Sequence, residues 1–381
     1  MSWILILLLS LSCMIDPSNK LVGSKDILFI LTILSCMYKL MLKPLDKKLF
    51  SYLLFIITIM IPLGIFMGIV NDGLLSNAIL NIKALLFSVI LLVYACDKKK
   101  FLNAFLYAIF IYEVFYLFII FCMATPLGGH VSLLLMKSEN ALIGLRRYGS
   151  FLLPMVFIKS SPLLLFPLGI GLFFYFEKGR KLWAFLSLGA LICLLYSGTR
   201  ANIFSAIIIF VLAVYYYRVP RKLRFLIISF AIVFVLPFIT KMMFNTFLIK
   251  GELSIDVKTK HLLSYIALFK QSPSILLLGC GFGQAFYTTG INEYVYNTEL
   301  SYLEMIRIWG VPVTIVFLGV PFYSAYAQYV HKGSSLLAIT AVLYLLVAGT
   351  NPLLISSTGF LAITVIFAIT KDRDETLGTA I

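Results

Sequence analysis

The sequence predicts an all-α, polytopic integral membrane protein with about twelve transmembrane helices in one continuous membrane domain, residues 1–381. Three observations predict it. Hydrophobic residues make up 61% of the chain and charged residues 12%, with a mean hydropathy of +1.03, a balance that no soluble class shows. Apolar windows close to the roughly 20 residues needed to cross a bilayer recur from end to end. Lysines and arginines gather in the short connections that fall on one side if the spans alternate.

The first window, 2–15, lacks a basic leader and an A-x-A-like cleavage site, so it reads as a retained span and not a signal peptide. A lipoprotein-like Cys13 is the alternative. Windows at 27–42, 49–70, 80–96 and 101–123 follow, with KPLDKK (43–48) and DKKK (97–100) among their connections. Next come 152–176, 182–197, 201–217 and 225–243, with EKGRK (177–181) and RVPRKLR (218–224) between them. Windows at 299–327, 334–350 and 357–370 complete the set, joined by His331-Lys332 and followed by KDRD (371–374). The positive-inside tendency puts these basic connections and both termini in the cytoplasm.

The opposite side carries three segments too long for hairpins: 71–79, 124–150 and 241–298. It too is basic, with Lys137, Arg146, Arg147, Arg200, Lys241, Lys250, Lys258 and Lys260. Cations there run against the orientation rule and point to an anionic ligand. Within the longest segment, 255–273 spaces Ile255, Leu262, Leu263, Ile266 and Phe269 as one face of a helix, with Lys258, Lys260, His261 and Lys270 elsewhere on the wheel. This predicts an amphipathic helix on the membrane interface, stopped at Pro273.

The net charge of +15 has no soluble basic domain to carry it, which excludes a nucleic-acid partner. Six scattered cysteines show neither a disulfide framework nor metal-ligand spacing, and read as small apolar residues; no metal or cofactor is expected.

Four stretches can carry chemistry. In SGTR (197–200), Arg200 closes a tight turn between two spans, where it can snorkel or hold an anion. In GLRRYGSFLLP (144–154), Arg146 and Arg147 precede a span, as interfacial anchors or a bidentate phosphate grip. The glycines of LLLGCGFGQAF (276–286) either present backbone N–H groups to an anion or make a tight turn. In YNTELSYLEMIRIWGVPV (296–313), Glu304 and Arg307 are spaced to pair, whereas Glu299 has no local partner. Glu113, central in its span, is a structural or gating residue.

In chain order, RYGSFLLP before one span, SGTR opening another, the long loop with its basic amphipathic helix, SPSILLLGCGFG and ELSYLEMIRIWG together resemble the O-antigen polymerase and ligase superfamily, over about Arg147 to Gly310. The resemblance implies a GT-C-like glycosyltransferase of the bacterial inner membrane that acts at the periplasmic face on undecaprenyl-pyrophosphate-linked oligosaccharides, as donor and acceptor. It also implies a flippase and a chain-length regulator of the same pathway as partners, besides the lipid bilayer. Ligases of this family carry a histidine in an H-N-x-Y-L motif; here Glu299 holds that place before Tyr302-Leu303, a pattern more like the polymerases, called Wzy. Lys260 stands where many relatives have arginine. On this resemblance Arg147, Arg200 and Lys260, with Arg146 and Lys258, hold the pyrophosphate. Glu299 is the base and His261 the fallback. A ligase, a lipid-linked oligosaccharide flippase or a non-catalytic scaffold are the competing readings.

Overall fold

A computed structural model describes residues 3–42, 46–148, 151–217, 253–332 and 335–371. The expected span 225–243, with Lys241 and Lys250, lies outside the described residues, as does the side chain of Arg147.

The fold is mostly helical. Four helices are long and apolar enough to cross a membrane: Lys47–Val70 (α3), Leu75–Cys96 (α4), Lys98–Met123 (α5), and the Ser301–Val330 stretch of Ser301–Lys332 (α11). The apolar helices Trp3–Ile15 (α1), Leu165–Lys178 (α7), Lys181–Tyr196 (α8), Arg200–Tyr216 (α9), Ser335–Gly349 (α12) and Ser357–Lys371 (α13) are shorter. Lys25–Leu42 (α2), Gly128–Lys137 (α6) and Leu253–Gln271 (α10) complete the main helices.

Two antiparallel hairpins depart from the all-α expectation. Ala141–Tyr148 (β1) pairs with Phe151–Ile158 (β2), and Phe286–Thr288 (β3) with Glu293–Val295 (β4). The first replaces the start of the expected 152–176 helix. Pro154 has no N–H for a helical bond, and the following Met-Val-Phe-Ile run pairs across the hairpin instead; the α-helix begins only at Leu165, after the turn Ser161–Leu164 that holds Pro162.

The expected 255–273 helix forms as α10, over Leu253–Gln271. Its apolar stripe does not join the core. Leu262, Leu263 and Ile266 are 41%, 57% and 41% exposed, while His261, Ser264 and Tyr265 face inward. The reason is polar: the inward side chains bond to β3 and to the segment before α11.

GCGFG (279–283) is a packing element, and the anion-cradle alternative fails on its hydrogen bonds. Gly310 breaks α11 at φ 77°, and Pro312 has no N–H, so the carbonyls of Arg307 and Ile308 lose their usual helical partners. The loop supplies replacements: Cys280 N–H donates to Arg307 O at 2.7 Å and Gly281 N–H to Ile308 O at 3.0 Å. On its other side Phe282 N–H donates to Gly64 O of α3 at 2.8 Å. Gly281, at φ 81°, passes so close to α3 that a Cβ would stand 1.9 Å from the Gly68 nitrogen.

All six cysteines are buried and free of disulfides. Most of the buried side chains form one apolar core, with the aromatic rings of Tyr112, Tyr116, Phe166, Trp309 and Tyr344 among its largest members.

Candidate functional site

Polar side chains tie several helix ends together at one end of the bundle. Asn202, in the first turn of α9, donates to Ser197 Oγ at 3.0 Å and to Ser161 Oγ at 3.1 Å. The neighbouring Ser160 donates to the Met14 carbonyl of α1 and shares a 2.8 Å hydrogen bond with the Tyr112 hydroxyl of α5. Thr358, opening α13, donates to Cys13 O at 3.0 Å. The connection from α12 to α13 then meets the start of α11, where Ser301 donates to Asn351 O. The SGTR turn and the Glu299 segment therefore share this end.

Several of the helices that meet at this end are short. Helices of 15 to 17 residues, such as α8, α9, α12 and α13, rise about 22–26 Å, short of the roughly 30 Å of a hydrocarbon core. The 26-residue α5 continues past Tyr112 to Met123, which adds about 16 Å. Hairpin β1–β2 lies along that extension, with Tyr116 donating to Val156 O. Non-helical backbone at such depth persists where it is buried in protein or lines a cavity.

The hairpin brings the first two cationic stretches together. Arg146 Nη1 donates to Gly198 O at 3.0 Å, inside the turn that ends in Arg200. Gly198 has φ 65°, and Met155 of β2 packs so tightly that a Cβ would lie 2.4 Å from its Cγ. Half-buried Arg146 and Arg200 thus flank one turn. The backbone of Arg147 pairs with Leu152 in the same hairpin.

A second group forms between α10 and the start of α11. Glu299 is not a free carboxylate: Lys258 Nζ lies 3.0 Å from it and also donates to Thr350 O at 3.1 Å. No local sequence spacing announces this pair, because the partners are 41 residues apart (299 − 258). His261, one turn along α10, is buried, and its Nδ1 shares a 2.5 Å hydrogen bond with Thr288 of β3. Burial pushes its imidazole below the ordinary value of 6.5; the Glu299 charge opposes the shift and Lys258 adds to it. Lys260 points elsewhere and pairs with Asp256 on its own helix at 2.8 Å.

Beneath this group lies a buried clamp. Arg307 Nη2 lies 2.5 Å from Glu304 Oε1, the pairing expected from their spacing. Arg307 also donates to Gln284 O at 2.8 Å and Tyr296 O at 2.7 Å, and its guanidinium stacks 5.0 Å over Phe286. Tyr265 donates to Glu304 and shares a 2.8 Å bond with Thr298, next to Glu299. Burial, then the Glu304 charge, holds its phenol far above its ordinary range. Sequence reasoning missed Tyr265, Thr288 and Asn202. Tyr265 stands one helical turn after His261, a spacing that placed it on the same face.

Glu113 stands apart, buried in α5 with Oε1 against Gly189 of α8 and Oε2 without a hydrogen-bond partner among the described residues.

The arrangement defines a mostly helical, lipid-compatible chain with cations and the carboxylate–lysine pairs Glu299–Lys258 and Asp256–Lys260 gathered at one end. No family model, curated protein or solved structure matches it.

Proposed function

We propose that the protein polymerises undecaprenyl-pyrophosphate-linked oligosaccharide repeat units, with the end that carries the SGTR turn and Glu299 facing the periplasm. The observation that carries the reading is the gathering of Arg146, Arg200, Lys258, His261 and Glu299 at one end of the bundle. A lipid-linked pyrophosphate lies at the membrane interface, and the outward apolar stripe of α10 suits a helix resting on the same interface.

In the reaction a sugar hydroxyl of one repeat-unit lipid attacks the anomeric carbon of another. The new C–O bond forms as the bond to pyrophosphate breaks, and the electron pair leaves with undecaprenyl pyrophosphate. Cations aimed at the leaving oxygens stabilise that developing charge, each worth about 3 kcal/mol by the measure of other oxyanion donors. Arg147, Arg200 and Arg146 serve this role; Lys258 is taken up by Glu299, and Lys260, expected to join them, is turned away to Asp256. Glu299 takes the hydroxyl proton, and Lys258 pairs with its carboxylate.

The test is surface polysaccharide on a gel. A strain lacking the gene should show single-repeat product; lost attachment of polymer would indicate a ligase, and absence of surface product a flippase, which the buried Glu113 would suit. Arg200→Ala should insert normally and abolish polymer, and Arg200→Lys should restore it only partly, because a lysine has no bidentate fork. Normal polymer from Arg200→Ala removes the residue from the mechanism.

A further inference from the structure

Far from the Glu299 end, α3 begins at Lys47 and Lys48, and α11 runs antiparallel past it. A groove of about 610 Å³ separates them, lined by Lys47, Lys48, Phe55, Val316, Gly319 and Tyr323, among others. Its floor is fixed by a proline defect. Pro321 cannot donate to the Phe317 carbonyl, and Tyr52 OH of α3 takes the vacant place at 3.1 Å. Gly319 leaves the middle open: a Cβ there would meet nothing within 4 Å.

Charge is confined to the mouth. Lys47 and Lys48 are exposed and have no ion-pair partner among the described residues. Asp46, the nearest acid in sequence, caps α3 by accepting from the Lys48 and Leu49 N–H groups at 3.0 and 3.4 Å. Lys48 Nζ sits 6.0 Å over the Tyr323 ring. From Lys47 to Phe55 the groove runs about 12 Å into the apolar part of both helices.

We propose that this groove binds an anionic phospholipid, with the phosphate between the Lys47 and Lys48 ammonium groups and one acyl chain along Phe55, Val316 and Val320 over Gly319. A soluble phosphate would meet the lysines and leave the apolar wall bare. A zwitterionic lipid would cover the wall and bring its own cation to the mouth. Only a lipid with net negative charge complements both parts, and paired cations at the end of an interhelical groove are a recurrent site for such headgroups. The inference does not depend on the polymerase reading, because it concerns the opposite end of the bundle.

The experiment is native mass spectrometry of the full chain titrated with phosphatidylglycerol, phosphatidylcholine and glycerol 3-phosphate. One phosphatidylglycerol should be retained in preference to phosphatidylcholine, and glycerol 3-phosphate should not compete. Lys47→Gln with Lys48→Gln should weaken retention about 10- to 30-fold, at about 1 kcal/mol per lysine. Gly319→Leu puts a side chain into the open groove and should weaken lipid retention with both lysines intact, which keeps the test decisive if the double variant is not recovered. Equal retention of the two lipids, unchanged retention in either variant, or competition by glycerol 3-phosphate would each overturn the proposal.

Discussion

Glu299→Gln separates catalysis from packing at a single position, because the structure makes its stability cost small. The carboxylate side chain is 56% exposed and its lysine partner 31%. An ion pair so open to solvent contributes about 0.2–1 kcal/mol, and glutamine can still accept a hydrogen bond from Lys258. Neither carboxylate oxygen is buried without a partner, so no desolvation penalty adds to this. Unfolding in detergent should therefore shift by less than about 1 kcal/mol. Removing a general base lowers turnover by about 10²- to 10⁴-fold. The assay is polymerisation by purified protein given lipid-linked repeat units, paired with substrate binding and denaturant unfolding of the same preparation. A collapse of turnover with retained binding and stability supports the assignment. Near-wild-type polymerisation refutes it and moves the role to His261, or leaves the proton to depart late and unassisted. A stability loss above about 2 kcal/mol would refute the premise that the pair is a surface contact.

Two further predictions test the frame around the site. Gly281→Ala puts a Cβ 1.9 Å from the Gly68 nitrogen at a positive φ, so it should destabilise the protein by about 2–4 kcal/mol or block its insertion; a loss below about 0.5 kcal/mol would show that the loop does not wedge α3 against α11. His261 sits below its unfolded value of 6.5, so from that pH downward the unfolded chain binds a proton the native chain refuses, and stability should fall until the native pKa is reached. His261→Gln should flatten that slope, and Lys258→Gln should raise the imidazole pKa in an NMR titration. A slope unchanged by His261→Gln would assign the acid sensitivity elsewhere.

Much of the helical organisation is legible in the sequence because burial in lipid and charge placement are local properties. A run such as 101–123 must be helical to satisfy its own backbone in an apolar solvent, and α5 covers it. The Glu304–Arg307 pair is legible for the same reason, since three residues fix two side chains on one helix face. The 152–158 strand is not. Its apolar composition suits either state, and only pairing with 141–148 decides between them.

The sequence by itself determined the apolar helices, the amphipathic α10, the cation-bearing stretches and the identity of the one unpaired-looking acid, Glu299. Tertiary structure decided what those residues meet. It put Lys258 on Glu299, Arg146 on the Gly198 turn, Thr288 on His261, and the carbonyls freed by Gly310 and Pro312 on the glycine loop. The physical reason is range: helix propensity and hydropathy act over a few residues, whereas a carboxylate or an orphaned carbonyl takes whichever donor the packed chain brings within about 3 Å.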